Sequence, residues 1–185
     1  MKSSVEEIRE HFDAIVDRFS NEETGQATAI DSALVLQIIA DSIAERQPDA
    51  AMLCDIGCGA GNFTVKILRR LPRLQCTLID LSRPMLNRAQ ERIQSLGGKI
   101  VETRQEDIRM SVLEEGRYDI ITAAAVLHHL RSREEWSSVL RKIYNALVPG
   151  GTFWFFDLVR HEDAVLEKIQ WQRYRQYLIG LKDEP

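Results

Sequence analysis

The sequence predicts a single α/β domain, a doubly wound and mostly parallel sheet with helices on both faces, and three observations carry that prediction. From residue 51 onward, short apolar runs alternate with segments of helical period. Three glycines, Gly57, Gly59 and Gly61, fall where the first apolar run gives way to the first helical segment. A length of 185 residues with 44% hydrophobic and 28% charged content suits one core of ordinary composition that stays in solution.

Residues 5–19 and 27–46 read as two helices that precede the alternation, the first with Val5, Ile8, Phe12, Ile15, Val16 and Phe19 on one stripe. Ser20 to Gly25 is the break between them. This appendage, residues 1–48, is expected to fold over the ligand crevice as a lid, beside a core over 49–160 and a C-terminal helical segment over 161–185. The first strand runs from Ala51 to Ile56, and Phe63, Ile67, Leu68 and Leu71 then recur at helical spacing up to Pro72. Cys76 to Ile79 is the second strand, closed by Asp80. Ser82 caps the next helix, which has Pro84 in its first turn, Leu86, Ala89, Ile93 and Leu96 on one face, and Gly97-Gly98 as its stop. Lys99 to Thr103 and Tyr118 to Ala125 are the third and fourth strands, with a loop or short turn over Met110 to Gly116. Ser132 and Glu135 form a capping box for a helix with Trp136, Val139, Leu140, Ile143 and Leu147 as its stripe. Pro149-Gly150-Gly151 ends it, and Thr152 to Phe156 is the fifth strand. Right-handed crossovers then place the ligand crevice at the carboxyl ends of the strands.

Several function classes are set aside by composition. The N-terminus lacks the basic, then apolar, then small-residue order of a signal peptide, and no apolar run approaches membrane-spanning length, so the cytoplasm is expected and no membrane partner. A formal charge of −4 argues against broad electrostatic capture of nucleic acid. Cys54, Cys58 and Cys76 are odd in number and complete no zinc pattern, so they read as small buried hydrophobes and no metal is expected.

The glycine turn carries the chemistry. Its strand-to-helix context is the one a nucleotide-binding turn requires, yet a dinucleotide fingerprint needs its third glycine at position 62, where this chain has Asn. Asp55 stands just before the glycines, where it would repel a pyrophosphate. S-adenosylmethionine instead presents an α-ammonium and a sulfonium, which an acid at that position suits. Asp80, at the end of the second strand, is placed to accept hydrogen bonds from a ribose diol.

Four segments, Asp55 to Gly61, Asp80 to Leu86, Glu106 to Ile108 and Val126 to Leu130, resemble the successive motifs of class I, Rossmann-like S-adenosylmethionine-dependent methyltransferases over residues 50 to 160. The resemblance implies that the turn at Gly57 and Gly59 holds the methionine part, Asp80 the ribose, and Leu81 the adenine face. It further implies that Asp107 and the Ile108 backbone receive the adenine amino group and that Ala124 lines the methionine side. The cofactor-binding set it points to is Asp55, Gly57, Cys58, Gly59, Gly61, Asp80, Leu81, Met85, Asp107, Ile108 and Ala124. A fainter likeness is to the carboxy-S-adenosylmethionine-dependent tRNA wobble-uridine methyltransferases. Here Gln26 stands about where those have a cofactor-contacting Tyr, and Ala124 where they have Asn.

Methyl transfer from a sulfonium needs mainly alignment and exclusion of water, so a dedicated catalytic residue is optional and none is assigned. His128 and His129 read as packed or hydrogen-bonded side chains. The stretch Ala124 to Leu127 lacks the Asn/Asp-Pro-Pro-aromatic signature of amide and exocyclic-base methylation, and no Pro-Cys pair serves cytosine C5 chemistry. The expected activity is therefore methyl transfer to a small molecule or RNA, with an NAD(P)-dependent oxidoreductase or a non-catalytic cofactor-binding domain as alternatives. Family members carry two further strands, whereas 29 residues follow Phe156, so a truncated chain or a fifth strand covered by a second copy in a homodimer is expected.

Overall fold

Among the described residues five strands form one parallel sheet, and their spatial order follows from the helices that connect them. The computed structural model describes residues 4–21 and 30–183, and the strands are β1 (Met52–Ile56), β2 (Gln75–Asp80), β3 (Lys99–Gln105), β4 (Tyr118–Ala124) and β5 (Leu147–Phe156). They lie in the order β3-β2-β1-β4-β5, each neighbouring pair parallel. The chain starts in the middle, winds out to β3, and returns to wind outward past β4. That reversal opens a crevice beyond the carboxyl end of β1.

The helices are α1 (Val5–Ala14), α2 (Val16–Ser20), α3 (Ser32–Arg46), α4 (Asn62–Leu68), α5 (Arg83–Ser95), α6 (Arg133–Ala146) and α7 (Ala164–Asp183). Alternation along the strands sorts the core into two layers. Leu53, Cys76, Leu78 and Ile120 join Ile39 and Ile43 of α3, Ile67 of α4 and Leu86 of α5. Their neighbours Cys54, Ile56, Ile79 and Ile121 join Val139 and Ile143 of α6 on the other face. Each such large aliphatic side chain contributes about 1.5–3 kcal/mol by leaving water. Cys54, Cys58 and Cys76 are free and buried, and burial pushes the Cys76 thiol up to about 12, so none is a reactive thiolate.

Several elements depart from the sequence reading. The first helix is broken at Ile15, whose N–H reaches back three residues to the Phe12 carbonyl, and the bend turns both Phe12 and Phe19 inward with their rings 5.5 Å apart. The second helix is described from Ser32, and its Leu36, Ile39, Ala40 and Ile43 pack into the sheet's core, so α3 belongs with the sheet rather than with a cover over residues 1–48. Gln26 lies outside the described residues. At the start of α6, Ser132 accepts the Glu135 N–H at 3.2 Å, but the Glu135 carboxylate reaches the Arg131 N–H, so only half of the box forms. Leu96 and Leu140, expected on apolar stripes, are exposed. Leu147 is already strand: β5 runs through Pro149 as an edge strand, where a missing N–H costs little, with a register shift opposite Tyr118 to Ile120. No described helix is long and apolar enough to cross a membrane.

Candidate cofactor site

The turn after β1 is built of backbone in the left-handed region. Gly57 has φ of +66°, and a Cβ there would stand 2.5 Å from Val126 Cγ2, so only hydrogen fits. Gly61 has φ of +79° and opens α4, where an added Cβ would come 3.1 Å from that of Ala89 on α5. It keeps two helices close and does not line the cavity. Met85, likewise expected at the cofactor, is fully buried in the first turn of α5 and is also absent from the cavity wall. The other nine expected residues line one cavity at the carboxyl ends of the strands: Asp55, Gly57, Cys58, Gly59, Asp80, Leu81, Asp107, Ile108 and Ala124.

The turn's amides are already engaged. The Gly57 and Cys58 N–H groups donate to the Ile79 carbonyl at 2.8 and 3.1 Å, Gly59 N–H to Asp80 Oδ2 at 2.8 Å, and Gly61 N–H to the Cys58 carbonyl at 2.9 Å. A phosphate-binding turn works by offering such donors to an anion. Here they are spent inside the chain, and the groups that face the cavity from this corner are carboxylates.

Asp55 is buried at the end of β1, its two oxygens accepting hydroxyl protons from Thr64 at 2.5 Å and Thr122 at 2.8 Å. Burial raises its carboxyl to about 6, the two hydroxyls oppose the rise, and the nearby Asp80 adds to it. Burial also raises Asp80, against hydrogen bonds from the N–H groups of Ser82 and Gly59. Each Asp80 oxygen receives one of these, leaving a lone pair on each for a diol. Two acids lining one cavity, one buried and one half-buried, favour a cationic ligand.

The β3 side differs from expectation in one respect. Asp107 faces the cavity, but both its oxygens are taken by Arg109: Oδ1 by the backbone N–H and Nε at 2.9 and 3.0 Å, Oδ2 by Nε and the guanidinium at 3.0 and 2.5 Å. Partial burial works to raise its carboxyl, but Arg109 outweighs it and holds Asp107 below the usual range. Glu135 takes the far side of the same guanidinium at 3.1 Å. Asp107 therefore has little capacity left to receive an amino group while Arg109 stays.

The remaining walls come from the N-terminal helices and from the turn after β4. Ile8, Phe12 and Phe19 close the cavity from α1 and α2. Ser82 Oγ donates to Asp13 at 2.5 Å while capping α5, and Asn62 Nδ2 donates to the Phe19 carbonyl at 2.7 Å. Opposite, Ala125 adopts φ of +55° with its N–H on the Phe156 carbonyl, and a 3-10 turn over Leu127–His129 follows. The nearly buried Asp157 carboxylate holds that turn, accepting the His128 N–H at 3.0 Å and meeting its ring nitrogen at 2.6 Å. His128 is thus hydrogen-bonded, as its place in the sequence suggests. His129 packs its ring 4.1 Å from that of His128 and lines the cavity, with Phe12 edge-on at 6.4 Å, and the cavity placement is one that the paired His-His alone did not signal.

A family model described as a methyltransferase domain matches residues 54–153, which hold the glycine turn, Asp55, Asp80 and the turn after β4. The chain belongs to the S-adenosylmethionine-dependent methyltransferase family. This methyltransferase chain is 27% identical over 140 residues to a carboxy-S-adenosyl-L-methionine synthase of Helicobacter pylori (strain HPAG1), covering 75% of this chain and 56% of that protein. It is 31% identical over 98 residues to an uncharacterized methyltransferase of Mycobacterium tuberculosis, covering 53% of this chain and 46% of that one. Among solved structures, an S-adenosylmethionine-bound amino pentose methyltransferase from Micromonospora echinaspora superposes with a TM-score of 0.58 at 25% identity, over 69% of this chain and 51% of that one. The methyltransferase chain spans about half the length of the curated relatives it matches.

Proposed function

We propose that this chain binds S-adenosylmethionine and transfers its methyl group to a small-molecule or RNA acceptor by in-line displacement. The observation that carries the reading is the pairing of a glycine turn whose amides are spent internally with two carboxylates that line one cavity, the buried Asp55 and the half-buried Asp80. Such a corner suits a ligand that is a nucleoside at one end and a cation at the other. S-adenosylmethionine supplies a sulfonium methyl already activated for displacement, so the protein's part is to orient and to exclude water. In this reading Asp80 accepts from the ribose hydroxyls, and Leu81 and Ile108 sandwich the base. Gly57, Gly59 and Ala124 border the methionine portion. Asp55 answers its positive charge through the Thr64 and Thr122 hydroxyls rather than by open contact. The aromatic cover of Phe12 and Phe19 serves to keep water out.

The test is calorimetric titration with S-adenosylhomocysteine. Wild-type protein is expected to bind it and to leave NADH unbound. Asp80→Asn is expected to weaken it by about 1.5–3 kcal/mol, the range for hydrogen bonds to a charged group. Unchanged affinity in that variant removes the ribose assignment, and binding of NADH alone overturns the reading. Similarity to carboxy-S-adenosyl-L-methionine synthases supports a second reading, in which the nucleoside carried is the carboxylated one. Mass spectrometry of any nucleoside that co-purifies distinguishes the two by the mass of the carboxyl group.

A further inference from the structure

Resting on the methyl-transfer reading, we infer that His129 is the group that receives the acceptor's proton, and that the acceptor is a small, largely apolar molecule presenting an N–H or O–H nucleophile beneath α1 and α2. The sheet order supplies the first argument. Asp80, the acid that suits a ribose, ends β2 on one side of the glycine turn, whereas β4 and β5 lie on the other. An extended nucleoside sulfonium seated on that turn therefore points its methyl-bearing end toward β4. Val126 fixes the distance, because its methyl groups press on Gly57 so closely that no Cβ fits between. The 3-10 turn over Leu127–His129 begins at the next residue, and His129 returns into the same cavity.

The second argument is elimination among the cavity's titratable groups. Asp55 at the end of β1 is held by Thr64, Asp80 at the end of β2 holds the Gly59 N–H, and Asp107 and Arg109 are committed to each other on the β3 side. Glu106 is on the β3 side as well, its carboxylate against Arg104 at 2.9 Å. On the β4 side, among the described residues, His129 is the titratable group that lines the wall. The ring of His128 lies 4.1 Å from that of His129 and the ring of Phe12 6.4 Å from it, and the same cavity is lined by the apolar Ile8, Phe19, Leu130 and Phe156. A wall of that kind gives a polyanionic acceptor such as RNA no partner, while a ring or aliphatic frame can pack against it. Neutral imidazole is a base matched to near-neutral pH. As the acceptor's lone pair takes the methyl carbon, the carbon–sulfur bond parts with its electrons left on sulfur. The proton shed by the acceptor passes to the imidazole and from there to water.

The test needs no knowledge of the acceptor. Sinefungin carries a primary ammonium group where S-adenosylmethionine carries its methyl, so a base facing that position accepts its N–H. Calorimetry at pH 7.5 compares sinefungin with S-adenosylhomocysteine on wild type, His129→Ala and His129→Asn. Wild type is expected to prefer sinefungin at least fivefold. Both variants are expected to lose that preference while holding S-adenosylhomocysteine within twofold of wild type, which also reports that they fold. An unaltered preference in both variants, the lack of any preference in wild type, or loss of S-adenosylhomocysteine binding in both variants each overturns the inference. Failure of wild type to bind S-adenosylhomocysteine at all overturns the cofactor reading instead, so the two failures are distinguishable.

Discussion

At the scale of single residues, Asp55 is the most informative side chain. Burial lifts its carboxyl from an ordinary 3.8 to about 6, so the folded chain holds that proton more tightly than the unfolded chain does. Between those two values the folded state binds more protons, and stability falls as pH rises through the window, by about 3 kcal/mol in all. Urea unfolding at pH 4.5 and 6.5 is expected to show this fall in wild type beyond that of Asp55→Asn; equal falls in both would remove the raised carboxyl. A bound cation has the opposite leverage. Binding of S-adenosylhomocysteine at pH 6, with its ammonium, is expected to release a proton from Asp55, seen as a binding enthalpy that changes with the ionisation heat of the buffer. Asp55 and Asp80 were legible because strand ends are fixed by hydrophobic pattern, and a strand end dictates where the next side chain goes. Asp107 was legible only as a position. Its occupancy by Arg109, two residues on, is a local ion pair that strand and helix periodicity does not encode. Met85 failed for a related reason: proximity in sequence to Ser82 says nothing about which way the first turn of a helix faces, and this side chain faces the core.

At the scale of elements, the cover over the cavity is held by few bonds. Asp13 of α1 accepts from Ser82 at the cap of α5, and Asn62 holds the Phe19 carbonyl. Asp13→Ala is expected to speed hydrogen exchange of the α1 amides by about five- to tenfold, the equivalent of one hydrogen bond, while β1 stays protected. Ser82→Ala removes the α5 cap as well and is expected to lower global stability by about 1 kcal/mol in urea unfolding. Equal protection of α1 in wild type and Asp13→Ala would mean that packing of Phe12 and Phe19 alone retains the cover. The five strands and the helices α4, α5 and α6 were readable from apolar period, because each buries one face against the sheet. The bend at Ile15 was not, since the stripe from Val5 to Phe19 continues through it and the cause is tertiary: two aromatic rings converge on one cavity. The start of β5 at Leu147 was hidden by Pro149 and two glycines, which signal a turn in sequence but are tolerated on an edge.

At the scale of the whole molecule, the two ends of the sheet order present different problems. Among the described residues β5 pairs only with β4, and α7 beyond it leaves Val165, Leu166, Ile169, Trp171 and Ile179 exposed. Apolar surface gathered on one helix favours concentration-dependent association. Light scattering is expected to show it in wild type and to show less in Ile169→Lys/Ile179→Lys, with the unfolding free energy changed by no more than about 0.5 kcal/mol because both side chains stand on the surface. A constant monomer mass of 21.2 kDa at every concentration in wild type would contradict this.

The contact between Gly57 and Val126 reaches further than packing. It welds the rim that would grip the methyl donor to the rim from which His129 projects, leaving no slack between them. A lineage of such chains cannot widen one rim to admit a bulkier guest without loosening its hold on the donor. New acceptor tastes are then easier to acquire by altering the detachable roof at Ile8, Phe12 and Phe19, which is where divergence among descendants of this chain should accumulate.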